Sequence, residues 1–209
     1  PASVAPGYDR FASLCFCASV AGSAGMVLST QTLLLAVGIV GQNVQTASIM
    51  AGALNWVLKD GIGQLGGVWF ASYMGRSGSS QFDANPKYWR MTAAICLDAA
   101  TFLEITAPLV PPGAVLALAS VANVGKNIGF LTASASRAAL HQSLAISGNL
   151  GDVTAKTASQ SMAASLVGTA LGIGLSPLLE DVPHFLMGFL VLSILHQGCN
   201  YLSLQAVPL

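Results

Sequence analysis

Leu54-Asn-Trp-Val-Leu-Lys-Asp-Gly-Ile-Gly-Gln-Leu-Gly-Gly67 decides how this chain is read. Lys59 and Asp60 stand alone in a long apolar run: no Asp, Glu, Lys or Arg occurs from Phe11 to Leu58, and none from Gly61 to Gly75. An isolated ion in a low-dielectric medium costs several kcal/mol, so these two charges need partners, water or a binding surface. Residues three and four apart share a helix face, which puts Trp56, Lys59, Asp60, Gly63 and Gly67 on one stripe. The rest of the chain reads as a container for that stripe.

Composition says what kind of container. The 209 residues are 54% hydrophobic and 8% charged, with a mean hydropathy of +0.68. A soluble domain carries roughly 25% charged residues. Eight acids and eight bases cannot cover the surface of a soluble fold this size. The expectation is a single all-α domain over residues 1–209, a polytopic membrane helical bundle with the lipid bilayer as its first partner. Zero formal net charge gives no bulk attraction to nucleic acid, and none is expected as a partner. Cys15, Cys17, Cys96 and Cys199 fall in apolar runs and read as buried free thiols. Opening at Pro1 and not at Met, the chain reads as a piece of a longer protein.

Hydrophobic runs broken by turn signals place about six spans, near 11–38, 44–75, 87–109, 114–140, 152–179 and 184–207. The breaks are Gly38-Ile-Val-Gly-Gln-Asn43, the polar loop from Arg76 to Pro86, Pro108-Leu-Val-Pro-Pro-Gly113, Ser147-Gly-Asn-Leu-Gly-Asp152 and Glu180-Asp-Val-Pro183. Asp152 is expected as an N-cap, with Lys156 paired to it at i+4. Gly168-x-x-x-Gly172 has a helix-packing spacing.

With six spans, the N-terminus, the 76–87 and 141–151 loops and the C-terminus share one side. Arg10, Arg76, Lys87, Arg90, Arg137 and Lys156 fall near that side, and the opposite turns carry no Lys or Arg. This is the positive-inside pattern, so that side faces the cytosol or its organellar equivalent. Lys59, Asp60, Asp98 and Lys126 lie mid-span. They are expected to form one charge-balanced cluster, Asp98 accepting from one lysine and Asp60 from the other. The cluster is either a set of structural ion pairs or a lining for a solute or proton pathway. Trp56, Gln64, Glu104, Asn123, Asn149, Asp152, Lys156 and Gln160 are polar pathway or packing residues. Arg76, Asp83, Lys87, Trp89 and Arg90 mark a loop that meets a partner or lipid headgroups.

Chemistry-bearing motifs are sparse. Gly61-Ile-Gly-Gln-Leu-Gly66 matches a dinucleotide fingerprint, but no buried strand precedes it and Asp83 sits in a polar loop. Helix packing or kinking suits these glycines better. His184 and His196 lack a zinc pattern, and no Ser/His/Asp arrangement stands out. No catalytic residue, metal or cofactor is expected, and the chain reads as no enzyme.

Several blocks together resemble a known family. They are the opening stretch Leu54–Gly67, Phe82-Asp-x-Asn-Pro-Lys-x-Trp-Arg90, Asp98 with Glu104 and Pro108, Ala122-Asn-x-x-Lys126, Arg137-Ala-Ala, and Asn149-Leu-Gly-Asp-Val-Thr-Ala-Lys-x-x-Ser-Gln160. In this order, over about residues 8 to 200, they resemble the root UVB sensitive family. The resemblance implies a part in vitamin B6 homeostasis and the ultraviolet-B response, a plastid or other organelle membrane, and association with homologous family members. It brings no catalytic residues. Two functions follow as expectations: a transporter-like domain for a small solute, or a non-transporting membrane scaffold that oligomerises with family members.

Overall fold

The computed structural model describes residues 4–37, 46–76 and 81–208. The expected turn at 38–43 and residues 77–80 of the polar loop lie outside them. Among the described residues the chain is all-helical: α1 (Tyr8–Ala36), α2 (Thr46–Arg76), the short α3 (Gln81–Ala84), α4 (Pro86–Ile105), α5 (Pro112–Leu144), α6 (Leu150–Leu175) and α7 (Val182–Gln205). Single 3-10 turns, Ala107–Leu109 and Ser176–Leu178, extend α4 and α6. The helices begin and end within a few residues of the expected spans, because prolines and caps mark the same places. Proline opens α4 and α5 and lies in the first turn of α7, where its missing N–H is harmless. Asp181 caps α7, its Oδ1 accepting from the His184 backbone N–H at 3.0 Å. The expected cap at Asp152 is not formed: α6 starts at Leu150, two residues before Asp152, after Asn149. Asp152 and Lys156 are both exposed and make no ion pair, as water solvates each.

Among the described residues five helices are long and apolar enough to cross a membrane: Tyr8–Ala36, Pro86–Leu109, Pro112–Leu144, Leu150–Leu178 and Val182–Gln205. That is one fewer than the six apolar spans expected. The 31-residue α2 has the length, but Asn55, Lys59, Asp60 and Gln64 dilute its apolar character.

α1 is central, packed against α6, α7 and α4; α4 in turn packs on α5 and α7. Among the described residues α2 packs on α5 and on no other helix to a comparable extent. Glycines set the closest approaches. A Cβ at Gly172 would lie 2.7 Å from Val27 Cβ, and one at Gly168 would lie 2.8 Å from Ser23 Cβ, so the Gly-x-x-x-Gly spacing seats α6 on α1. On α2, a Cβ at Gly66 would lie 2.7 Å from Val124, and Gly63 faces Asn123. Gly63 and Gly66 of the fingerprint are therefore a helix-packing surface for α5, while Gly61 faces open space.

Both ends of the bundle are knit by long-range contacts. At one end Val4 bridges Ala145, the Ala5 N–H donates to Leu144 O at 3.0 Å, and Lys87 Nζ donates to Val207 O at 2.7 Å. Phe11, Leu140, Leu144 and Leu204 form an apolar cluster there. At the other end Leu33 packs with Ala107, Val115 and Ala119. The N-terminus, the start of α4 and the ends of α5 and α7 thus share one end of the bundle.

The core is mainly apolar but also holds polar and charged groups, and the outside is rich in large apolar side chains. Ser29, Thr32, Glu104, Lys126, Ser136 and Asn200 are buried, whereas Leu65, Trp69, Leu166, Leu171, Leu190 and Ile194 are exposed. The thiols are free, as expected, but not fully buried: Cys17 is exposed and the other three are half-buried.

Candidate functional site

The buried polar groups form a ladder beside α1. Nearest the Leu33 end, Lys59 packs by Val37, Trp56 and Ala119. Its Nζ lies 4.4 Å from the Trp56 ring centroid and 2.8 Å from Asp60 Oδ1. Asn123 of α5 joins in, donating to Lys59 O at 3.1 Å and to Asp60 Oδ1 at 3.2 Å. The next rung is at Ser29, whose hydroxyl donates to Glu104 Oε2 at 2.8 Å. Lys126 Nζ donates to the same Glu104 oxygen and to Ser29 Oγ at 3.2 Å. Glu104 is 2% and Lys126 7% exposed, which makes this a dry ion pair with its hydrogen bonds largely satisfied.

The third rung is at Gly22, over which the His196 ring lies. Asp98 Oδ1 meets His196 Nδ1 at 2.8 Å, and its Oδ2 accepts from Ser193 Oγ and Gln197 Nε2, each at 2.6 Å. A carboxylate accepts, so Nδ1 carries the ring proton and Nε2 lies toward Gly22 on the opposite side of the ring. The last rung holds Arg90 of α4 and Arg137 of α5, which share an electrostatic neighbourhood with Cys15 and His141.

The expected single cluster of Lys59, Asp60, Asp98 and Lys126 is therefore corrected to separate sites. Ser29 and Gly22 are seven residues apart, ~10 Å at about 1.5 Å per residue, so the rungs cannot touch. Lys59 and Asp60 do pair, although adjacent helix positions diverge, because the four-carbon lysine stem folds back to a carboxylate that is 44% exposed. Lys126 takes Glu104, not Asp98. The partners Ser29, Ser193 and His196 were not expected; a lone histidine in an uncharged run is the one signal that marked His196.

The other expected residues are dispersed. Gln64 lines a shallow groove between α2 and α5 with Asn127 and Ser134. Gln160 donates to Ala12 O at 3.2 Å and ties α6 to α1. Asn149 precedes α6. In the loop, Arg76 and Asp83 are exposed, and Trp89 packs edge-on against Phe82 and Tyr88. Lys87 donates to the Val207 carbonyl at 2.7 Å, and Arg90 turns inward to line a cavity.

Arg90, Arg137, Asp98, His196, Ser19 and Ser161 line a cavity of about 180 Å³ enclosed by α1, α4, α5, α6 and α7. It brings both guanidinium groups together with the Asp98–His196 pair. Among the described residues no group of three His, Cys, Asp or Glu side chains is placed to hold a metal.

Comparison with known proteins accounts for the whole chain. The family described as "Vitamin B6 photo-protection and homoeostasis domain" matches residues 1–209. Protein root UVB sensitive 5 of Arabidopsis thaliana is 35% identical over 214 residues, covering 99% of this chain and 41% of the relative. Protein root UVB sensitive 3 and protein root UVB sensitive 2, chloroplastic, from the same plant, are each 31% identical over 210 residues, covering 100% of this chain and 46% of the relative. The chain thus spans less than half the length of these relatives. No solved structure matches it. With a family match from the first residue to the last and relatives aligned over its full length, the chain belongs to the root UVB sensitive family.

Proposed function

We propose that this is a multi-pass membrane domain that carries a small solute in the service of vitamin B6 balance, and that it does so without chemical conversion. The observation that carries this reading is the apolar outside of the bundle around a core that holds charges. Leucines, isoleucines and aromatics cover the outside, an ion pair and an Asp–His pair lie within, and two arginines line the cavity beside them. Water offers no driving force for that arrangement, whereas hydrocarbon does. The ladder also sorts the two roles open for the charges. Lys126–Glu104 is dry and structural, while Asp98, His196, Arg90 and Arg137 reach a polar cavity that can receive a solute. The chloroplastic designation of one relative favours a plastid membrane.

The test is uptake into liposomes bearing the purified chain, using labelled pyridoxine, pyridoxal, pyridoxamine and their phosphates. Protein-dependent uptake of at least one vitamer that falls in Asp98→Asn and His196→Gln is the expected result. Uptake no faster than in protein-free liposomes, for every vitamer, sinks the carrier reading.

The scaffold reading draws on a different feature. Among the described residues α2 leans mainly on α5 and presents Leu58, Ile62, Leu65, Trp69 and Tyr73 outward, beside the groove lined by Gln64 and Asn127. A helix of a homologous family member fits such a face. Co-purification of a tagged homologue that is lost on Leu65→Arg/Trp69→Arg, with uptake absent throughout, favours this second reading.

A further inference from the structure

We propose that the cavity among α1, α4, α5, α6 and α7 binds small phosphate monoesters, Arg90 and Arg137 gripping the phosphate. The other inward-facing charges already have partners. Lys59 has Asp60, Lys126 has Glu104, and Asp98 has three donors. Arg90 and Arg137 are the exceptions: they line one cavity, and among the described residues neither makes an ion pair or a hydrogen bond. They also lie within electrostatic reach of each other and of His141. Two like charges that share one partly buried cavity repel, and an anion between them removes that cost. Guanidinium forks match phosphate oxygens in bidentate geometry, and a dianion satisfies two of them at once.

The rest of the cavity narrows the class. Asp98 lies eight residues beyond Arg90 on α4, ~12 Å along the axis at about 1.5 Å per residue. There it holds His196 by Nδ1, and the free Nε2 offers an acceptor for a donor at the ligand's far end. A volume of about 180 Å³ is below the roughly 300 Å³ where drug-sized pockets begin, which suits one ring with a phosphate. Phosphorylated B6 vitamers have this shape, and a family tied to vitamin B6 makes them the natural probes. The assignment rests on the carrier reading for its meaning, yet the two fail separately.

Calorimetry on the full chain in detergent, with pyridoxine 5′-phosphate against pyridoxine, tests the proposal. The phosphate ester should bind at least about tenfold tighter, and inorganic phosphate should compete. Arg90→Gln and Arg137→Gln should each weaken the ester by about tenfold, and Arg90→Lys less, leaving pyridoxine unaffected. Equal wild-type affinity for the two vitamers overturns the site, and that comparison needs no variant to fold. Native mass spectrometry covers the lipid source of the same chemistry. Bound phosphatidylglycerol that neither pyridoxine phosphate nor inorganic phosphate displaces also overturns it. Phosphate-selective binding without liposome uptake sinks the carrier and keeps the site. Uptake of an unphosphorylated vitamer without phosphate-selective binding does the reverse.

Discussion

Glu104 on α4 and Lys126 on α5 close on each other beneath Ser29 of α1, so one buried ion pair fastens three helices. Removing one member leaves a bare charge among apolar groups. Lys126→Met or Glu104→Gln alone should cost roughly 3–5 kcal/mol, and the double replacement much less. Thermal melts in detergent of the two singles and the double check this. A double mutant as unstable as the worse single means the two residues do not depend on each other.

Lys59 gives the opposite expectation. Its partner Asp60 is 44% exposed, so only one member of this pair is buried. Lys59→Met should therefore cost about 1 kcal/mol, from a weak ion pair and the loss of the contact with Trp56. Melts run beside Lys126→Met should show a clearly smaller shift for Lys59→Met.

The α1–α6 seam should resist any added side chain. At Gly172 a new Cβ meets Val27 Cβ at 2.7 Å and Ala24 O at 2.9 Å, so Gly172→Val should destabilise by about 1–3 kcal/mol. Gly174 has nothing within 4 Å, and Gly174→Ala should instead gain about 0.5–1 kcal/mol from helix propensity. Opposite signs from two glycines two residues apart would be read by the same melts.

Asp181, outside the apolar helices, carries a pH dependence. The His184 backbone N–H, helped by its side chain, holds the carboxyl below the ordinary value of 3.8. A depressed folded-state pKa stabilises above the unfolded value, and the contribution disappears as pH falls through the lower folded value. The difference in melting temperature between wild type and Asp181→Ala should be present at about pH 7 and should shrink below pH 3.8. A difference that grows on acidification contradicts the cap.

Helix positions were legible because prolines, glycines and polar breaks act locally. The glycine stripe of α2 was legible for the same reason: small residues at helical spacing mean close approach, whatever the partner. Pairing was not legible. Asp98 and His196 are 98 residues apart, and nothing local links them. Depth was misread because an overlong helix has no fixed centre. Lys59 was placed mid-span by counting, yet α2 sits against α5 so that Lys59 reaches the level of Leu33, one rung beyond Lys126. Arg90 looked like an interface anchor because it follows Tyr88 and Trp89, and only the packing of α5 shows it turned toward Arg137.

The neighbourly bond between Lys59 and Asp60 has a consequence for how the chain is made. α2 is synthesised long before α5, its main partner, so it must wait in its surroundings without that neighbour. Lys126 and Glu104 can neutralise each other only once two helices have met. Lys59 and Asp60 need no second helix: α2 arrives with its own counterion attached and no net mid-helix charge to hide. Asn123 then finds a preformed dipole to dock on. An insertion assay on isolated α2 should therefore register Lys59→Ala and Asp60→Ala as worse than the double replacement, a coupling that exists before there is a bundle to fold.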